Sequence, residues 1–132
     1  MVLTLGDERI LTIEDPLEAE RIARAELESS PPLHPLIVSI DDAWNQHIDV
    51  GLAGEKGTIQ VYTSSNEPPY WVTFNPGASP PEGQEVVVFY LHGRHHTEVP
   101  AEHLVPSRLI WPVLGDLLAS GVRSKRVEWR EV

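Results

Sequence analysis

Apolar positions along the chain recur at two spacings, and the changes from one to the other mark out the elements. Val2 to Leu5 and Arg9 to Ile13 are β-favouring runs on either side of Gly6-Asp7-Glu8, which predicts a short hairpin. A helix follows. Asp15 is placed to cap it, Pro16 suits its first position, and Glu18 completes an Asp-x-x-Glu capping box. Ala19, Ile22, Ala23 and Leu27 form a narrow apolar stripe, and Glu20 and Arg24 stand one turn apart as an ion pair. The proline-rich stretch from Ser29 to Pro35 ends this helix and reads as a linker.

Leu36 to Ser39 reads as a strand. A second helix is predicted after it, capped by Ser39 or Asp41, because Ala43, Trp44, His47, Ile48 and Leu52 share a face at helical spacing. Thr58 to Thr63 is a strand with Ile59, Val61 and Thr63 on one face and Tyr62 opposite. Tyr70 to Asn75 alternates in the same way, Tyr70, Val72 and Phe74 against Trp71 and Thr73. Val86 to Leu91 is apolar without alternation, the pattern of a central strand covered on both faces. Pro68-Pro69 and the run from Ser79 to Gly83 are turns between these strands. Ser107 to Ser120 carries a wide stripe of Leu109, Ile110, Val113, Leu114, Leu117 and Leu118, with Gly121 as a stop. Pro112 costs about 3 kcal/mol inside a helix, so either the first turn is broken or the regular helix starts near Trp111. Lys125 to Glu131 closes the chain as a strand, with Val127 and Trp129 facing in. The sum is an α+β fold, a mainly antiparallel sheet with about three helices packed against it.

Composition narrows the function. At 132 residues the chain is the size of one domain, and its lack of cysteine removes disulfide scaffolds, zinc ribbons and thiol nucleophiles. The net charge of −10 repels phosphate backbones and anionic membranes, which argues against direct nucleic-acid or membrane binding. The excess is uneven. Residues 1–28 carry eight acids and three bases, residues 29–93 seven acids and one base, and residues 94–132 five acids and six bases. No basic leader precedes an apolar run and no apolar stretch reaches the ~20 residues of a membrane span, so the expected location is the cytoplasm.

Candidate chemistry is sparse. His92, His95, His96, Glu98 and His103 could supply metal ligands, yet in an extended segment only His92 and His96 share a face. Surface-loop histidines are the simpler reading. A metal-binding module or metal-dependent enzyme using His92, His96, His103 and Glu98 is the alternative. The glycines between Gly51 and Gly57 lead from a helix into a strand with Lys56 before the last glycine, the reverse of a phosphate loop. No Gly-x-Ser-x-Gly elbow is present, and no residue is assigned a catalytic or cofactor-binding role. The four tryptophans fall mostly at apolar-face positions and read as core. Tyr62 and Tyr70 read either as a cross-strand pair or as exposed contacts.

The C-terminal half is more specific. His96-Thr-Glu98-Val-Pro100, then Leu104-Val105-Pro106, an amphipathic helix, and Ser120-Gly121-Val-Arg123-Ser-Lys-Arg-Val127-Glu128-Trp129 follow in that order. This resembles the Imm1 family of immunity proteins from bacterial polymorphic toxin systems. Ser120 and Ser124 stand where that family usually has Thr and Pro, and Pro112 interrupts what it builds as a continuous helix. The resemblance runs over residues 36–132, and residues 1–35 read as an N-terminal hairpin and helix added in this member. It implies a small cytoplasmic protein without catalysis of its own that binds a cognate toxin domain and occludes it. Partners of the family are often nucleic-acid deaminases and sometimes nucleases. Such a toxin needs a basic groove, and an acidic inhibitor can fill it with carboxylates. The expected contacts are Asp49, Glu55, Glu67 and Glu82, at loops or element ends of the most one-signed segment, with Tyr62 and Tyr70 as aromatic anchors.

Overall fold

Two helices lie on one face of a mainly antiparallel, ten-stranded sheet in the computed structural model, which describes residues 1–31, 33–77, 86–91 and 95–132. The strands are β1 (Val2–Thr4), β2 (Ile10–Thr12), β3 (Leu36–Asp41), β4 (Gln46–Ala53), β5 (Lys56–Thr63), β6 (Trp71–Phe74), β7 (Val86–Leu91), β8 (His95–Pro100), β9 (Val105–Pro106) and β10 (Glu128–Glu131). The helices are α1 (Pro16–Glu28) and α2 (Ser107–Ser120). The main path through the sheet is β10-β6-β5-β4-β3-β1-β2. Two edges are shared. β1 pairs with β3 at Ser39–Asp41 and β7 pairs with it, in parallel, at Leu36–Ile37. β6 and β9 divide β5 in the same way, at Gln60–Val61 and Lys56–Gly57, and the Thr73 hydroxyl accepts from the Ile59 N–H between them.

The expected helix over residues 41–52 is a hairpin and a strand. Asp42 Oδ1 accepts from the Trp44 and Gln46 N–H groups at 2.8 Å each, which closes a tight turn, and β4 then pairs with β5 over eight residues. Trp44, Ile48 and Leu52 lie four apart, a spacing that one helical turn and two strand steps both produce. Val50 decides between them: Ile48, Val50 and Leu52 are all buried on one face, which is period two. Among the described residues two α-helices therefore stand where about three helices were expected.

α1 starts at the expected cap, with Pro16 in its first turn and Asp15 Oδ1 accepting from Leu17 N–H, while Glu18 turns to Arg21 instead of closing the expected box. Its ion pairs differ from the expected ones: Glu18 bonds Arg21, and Arg24 bonds Glu28, not Glu20. α2 runs unbroken from Ser107 through Pro112 to a left-handed Gly121 at φ 73°. Pro112 and Arg108 both lie on the exposed side, so the Arg108 carbonyl that the ring deprives of a donor faces water. The last strand begins at Glu128, three residues later than expected, because residues 125–127 form the turn before it.

The main core fills the space between helices and sheet. Val38, Ile40, Ile48, Val50, Ile59 and Val61 of the sheet meet Ala19 and Ala23 of α1 and Ile110, Val113, Leu114 and Leu117 of α2. Leu3 of β1 joins this core, so the N-terminal hairpin and α1 belong to the same single domain. β7 is not covered on both faces as expected. Only Phe89 among its residues is buried, with Ile37, Val99 and Leu104, and Val86 is exposed. The β7–β8 hairpin lies over the sheet face away from the helices, and its apolar run serves that smaller cluster. No helix among the described residues is long and apolar enough to cross a membrane.

Candidate functional site

Strand alternation builds the site. Because Val38, Ile40, Ile48, Val50, Ile59 and Val61 face the helices, the residues between them face the other way. That second face carries Ser39 and Asp41 on β3, His47 and Asp49 on β4, and Gln60 and Tyr62 on β5. Registry makes them cross-strand neighbours: Asp41 opposite His47, Ser39 opposite Asp49, His47 opposite Tyr62, Asp49 opposite Gln60.

His47 is held between two carboxylates. Its Nδ1 is 2.8 Å from Asp41 Oδ1 and its Nε2 is 3.0 Å from Asp49 Oδ1, while Ser39 Oγ donates to the same Asp49 oxygen at 2.7 Å. A ring with an acceptor at each nitrogen is an imidazolium. The Asp49 hydrogen bond, opposed by partial burial and reinforced by both carboxylate charges, pushes its pKa up to about 9. Tyr62 packs on His47 with ring centroids 4.8 Å apart, and Tyr70 continues the row at 5.3 Å. Burial, then the charges of Asp49 and Asp41, raise the Tyr62 pKa, so its phenol remains a donor at neutral pH. Tyr70 Oη donates to the Asn66 carbonyl at 2.8 Å.

Beside this row, a groove of about 250 Å³ opens between the second face and the β7–β8 hairpin. Gly51 makes it possible. A Cβ there would lie 2.7 Å from the Phe89 ring, so only glycine lets the hairpin seat on β4. Asp49 and Gln60 line one side of the groove, Glu98 and Val99 the other.

The expected contact residues do not form one patch. Asp49, Tyr62 and Tyr70 come together. Glu67 is exposed in the loop before Tyr70, its carbonyl accepting from Thr63 Oγ1. Glu55 sits in the turn of the β4–β5 hairpin, about 15 Å from Asp49 along the strand, with its carbonyl bonded by Ser107 N–H. Glu82 lies outside the described residues. His47, Asp41 and Ser39 were missed because a helical reading turned His47 inward; the available signal was the alternation of His47 and Asp49 with Ile48 and Val50.

Of the alternative metal set, Glu98 and His103 both line the groove. His92 is outside the described residues, His96 meets the edge of Tyr90, and His103 lies in a short 3₁₀ turn where burial lowers its pKa. Among the described residues no three His, Asp or Glu side chains are arranged to hold a metal ion.

The C-terminal motif is a fastener. Gly121 N–H closes α2 on the Leu117 carbonyl, and the Trp44 ring lies against Gly121, where a Cβ would approach within 2.5 Å. Arg123 stacks over Trp71 at 3.6 Å. Ser124 Oγ donates to Asp116 at 2.6 Å, and the Trp129 indole donates to the Ser124 carbonyl at 2.8 Å. Ser124 thus ties the turn before β10 to α2 by hydrogen bonding. The family model described as Immunity protein Imm1 matches residues 13–131, from just before α1 to the end of β10. No curated protein matches the chain.

Proposed function

Because the chain belongs to the Imm1 family of immunity proteins, we propose that it neutralises a cognate toxin domain by covering that domain's working surface with its second sheet face. The observation that carries this reading is the row of Asp41, His47, Asp49, Tyr62 and Tyr70, an ordered polar and aromatic surface on the face that the helices leave open. Tyrosine is enriched at interface centres, and carboxylates, which are depleted there, fit such a place when a cationic partner meets them. A standard interface would cover ~800 Å² of each partner, and the row with the loop from Thr63 to Tyr70 offers a continuous place to start it.

The net charge of −10 favours a basic partner, and a toxin that acts on nucleic acid, such as a deaminase or nuclease, presents a basic groove. Inhibition is by occlusion, in the cytoplasm where such a toxin would act, and no residue of this chain turns over a substrate. Co-expression with the toxin gene beside it tests the core of the proposal: cells survive only when this protein is present. Death in both cases refutes it. The electrostatic part is tested separately by stopped-flow association, with a rate that falls at least tenfold from low to high salt. A flat rate removes the acidic-surface mechanism and leaves occlusion standing.

A further inference from the structure

The turn after α2 holds a cation without a counter-charge. Arg9, Arg21, Arg24, Arg126 and Arg130 each lie against a carboxylate. Arg108 and Arg123 meet none among the described residues, and of these Arg108 is exposed while Arg123 is half-buried. The Arg123 guanidinium lies over Trp71 at 3.6 Å, which shields one of its faces from water, yet it forms no hydrogen bond among the described residues. The acids of the neighbouring turns are taken. Asp116 is held by Ser124 and Arg126, and Asp42 by the N–H groups of Trp44 and Gln46. Arg123 borders a pocket of about 150 Å³, the volume that holds a benzene-sized group and well below the ~300 Å³ at which small-molecule sites begin. That is room for one side chain. Trp71, Pro69 and Tyr62 line it with apolar and aromatic surface, Gln46 and Thr63 with polar groups. In a chain with twenty acids, none is among its described lining residues.

Resting on the immunity reading above, we propose that this pocket is the socket for one aspartate or glutamate side chain of the bound toxin, held by Arg123. The paired planar donors of a guanidinium match a carboxylate, and one that already lies on a ring loses little freedom in binding it. A free anion is the poorer occupant, because a chain of −10 repels it and no further contacts carry it in. Tyr62 belongs both to this pocket and to the row with His47 and Tyr70, so an interface centred on that row has the socket at its rim. Trp44 stands beside the same turn, 50 % exposed, its indole N–H on the Leu118 carbonyl at 3.3 Å and its ring against Gly121. Gln46 Nε2 donates to the Gly121 carbonyl at 2.8 Å, so the backbone leading to Arg123 is tied to β4 before any partner arrives. On a basic toxin such a socket selects more than it attracts. A toxin with a lysine there is repelled, and one with nothing there leaves the cation covered and unpaired.

The test is calorimetric titration of the full-length protein with a catalytically inactivated form of the neighbouring toxin domain. Arg123→Gln weakens binding tenfold or more. Lys125→Gln, an equal charge change at an exposed position, shifts affinity less than twofold. The sign is diagnostic. Towards a basic partner the loss of a positive charge strengthens long-range attraction, so only a direct contact makes Arg123→Gln weaken binding. On the toxin, one aspartate or glutamate exists whose replacement by alanine costs tenfold against the wild-type protein and is non-additive with Arg123→Gln. Melting curves show whether Arg123→Gln keeps its fold without the Trp71 contact. Where it does not, Arg123→Lys, which keeps the cation, takes its place in the cycle and couples to the same toxin residue. Tight wild-type binding that a folded Arg123→Gln leaves intact, or a scan in which no toxin carboxylate couples to position 123, overturns the socket and spares the immunity function. Failure of the wild-type protein to bind overturns both.

Discussion

The imidazolium between two aspartates makes stability depend on pH in a direction that can be worked out. His47 is raised from 6.5 to about 9 in the folded protein. A folded pKa above the unfolded one means that the contribution is complete below pH 6.5. It shrinks as pH rises from there and is gone above about 9. At 1.36 kcal/mol per unit the shift sets a ceiling of about 3 kcal/mol. Solvent lowers that figure. The Asp41 side chain is 46 % exposed, against 23 % for His47 and 19 % for Asp49, so the outer half of the clasp is screened and about 1–2 kcal/mol remains. Urea denaturation of the wild type and of His47→Gln between pH 6 and pH 10 reads it directly. The wild type leads by that amount at pH 6, and the lead fades towards pH 10, where lysine and tyrosine titration affects both proteins alike. A lead that stays constant across the range, or an imidazole titration by NMR centred near 6.5, refutes the reasoning.

Three further changes probe the parts that position this face. Phe89→Ala empties a fully buried site under the β7–β8 hairpin and costs about 3–5 kcal/mol; urea midpoints measure it, and a loss below about 1 kcal/mol would mean that Phe89 does not anchor the hairpin. Gly121→Ala forces an L side chain into the left-handed region, worth about 1–2 kcal/mol, and pushes on Trp44, so melting temperature drops and Trp44 fluorescence shifts. Ser124→Ala removes the larger of the two hydrogen bonds, with that of Arg126, that hold the Asp116 carboxyl below its usual range. A depressed carboxyl stabilises above its unfolded pKa and loses that contribution as pH falls through the folded one. The variant's Asp116 therefore titrates closer to an ordinary aspartate by NMR.

Much of the fold is legible in local pattern, and the failures have local causes too. α1 and α2 announce themselves by capping residues and by stripes that only a helix makes contiguous. β5 and β6 do so by alternation. Residues 41–52 mislead because positions 44, 48 and 52 satisfy both periods, and the glycine that seats Phe89 looks from sequence like any loop residue. That β1 and β7 share the edge of β3, or β6 and β9 that of β5, is a matter of pairings between distant segments, which no window of residues contains. The site follows the same rule. Asp49, Tyr62 and Tyr70 were reachable from charge and aromatic placement, whereas His47 needed the strand that places it opposite Asp41 and Tyr62.

The structure also changes what the acidic count means. Three arginines of the C-terminal segment are engaged within the fold: Arg123 on Trp71, Arg126 with Asp116 at 3.0 Å, and Arg130 over Phe74 and 3.5 Å from Glu102. They do not reach across to neutralise Asp41 and Asp49. His47 does, and as an imidazolium it leaves that trio with one net negative charge at neutral pH, where the sequence alone counts two acids. Attraction of the proposed basic partner over distance would therefore be a property of the whole chain's −10, which salt screens. On the proposed reading, recognition at contact rests on something else: carboxylate oxygens directed by Ser39 and His47 and the packed rings of Tyr62 and Tyr70. High salt should thus slow association far more than it speeds dissociation, while Asp49→Asn should do the opposite, and finding both changes in the same rate constant would show that the two roles are not separate.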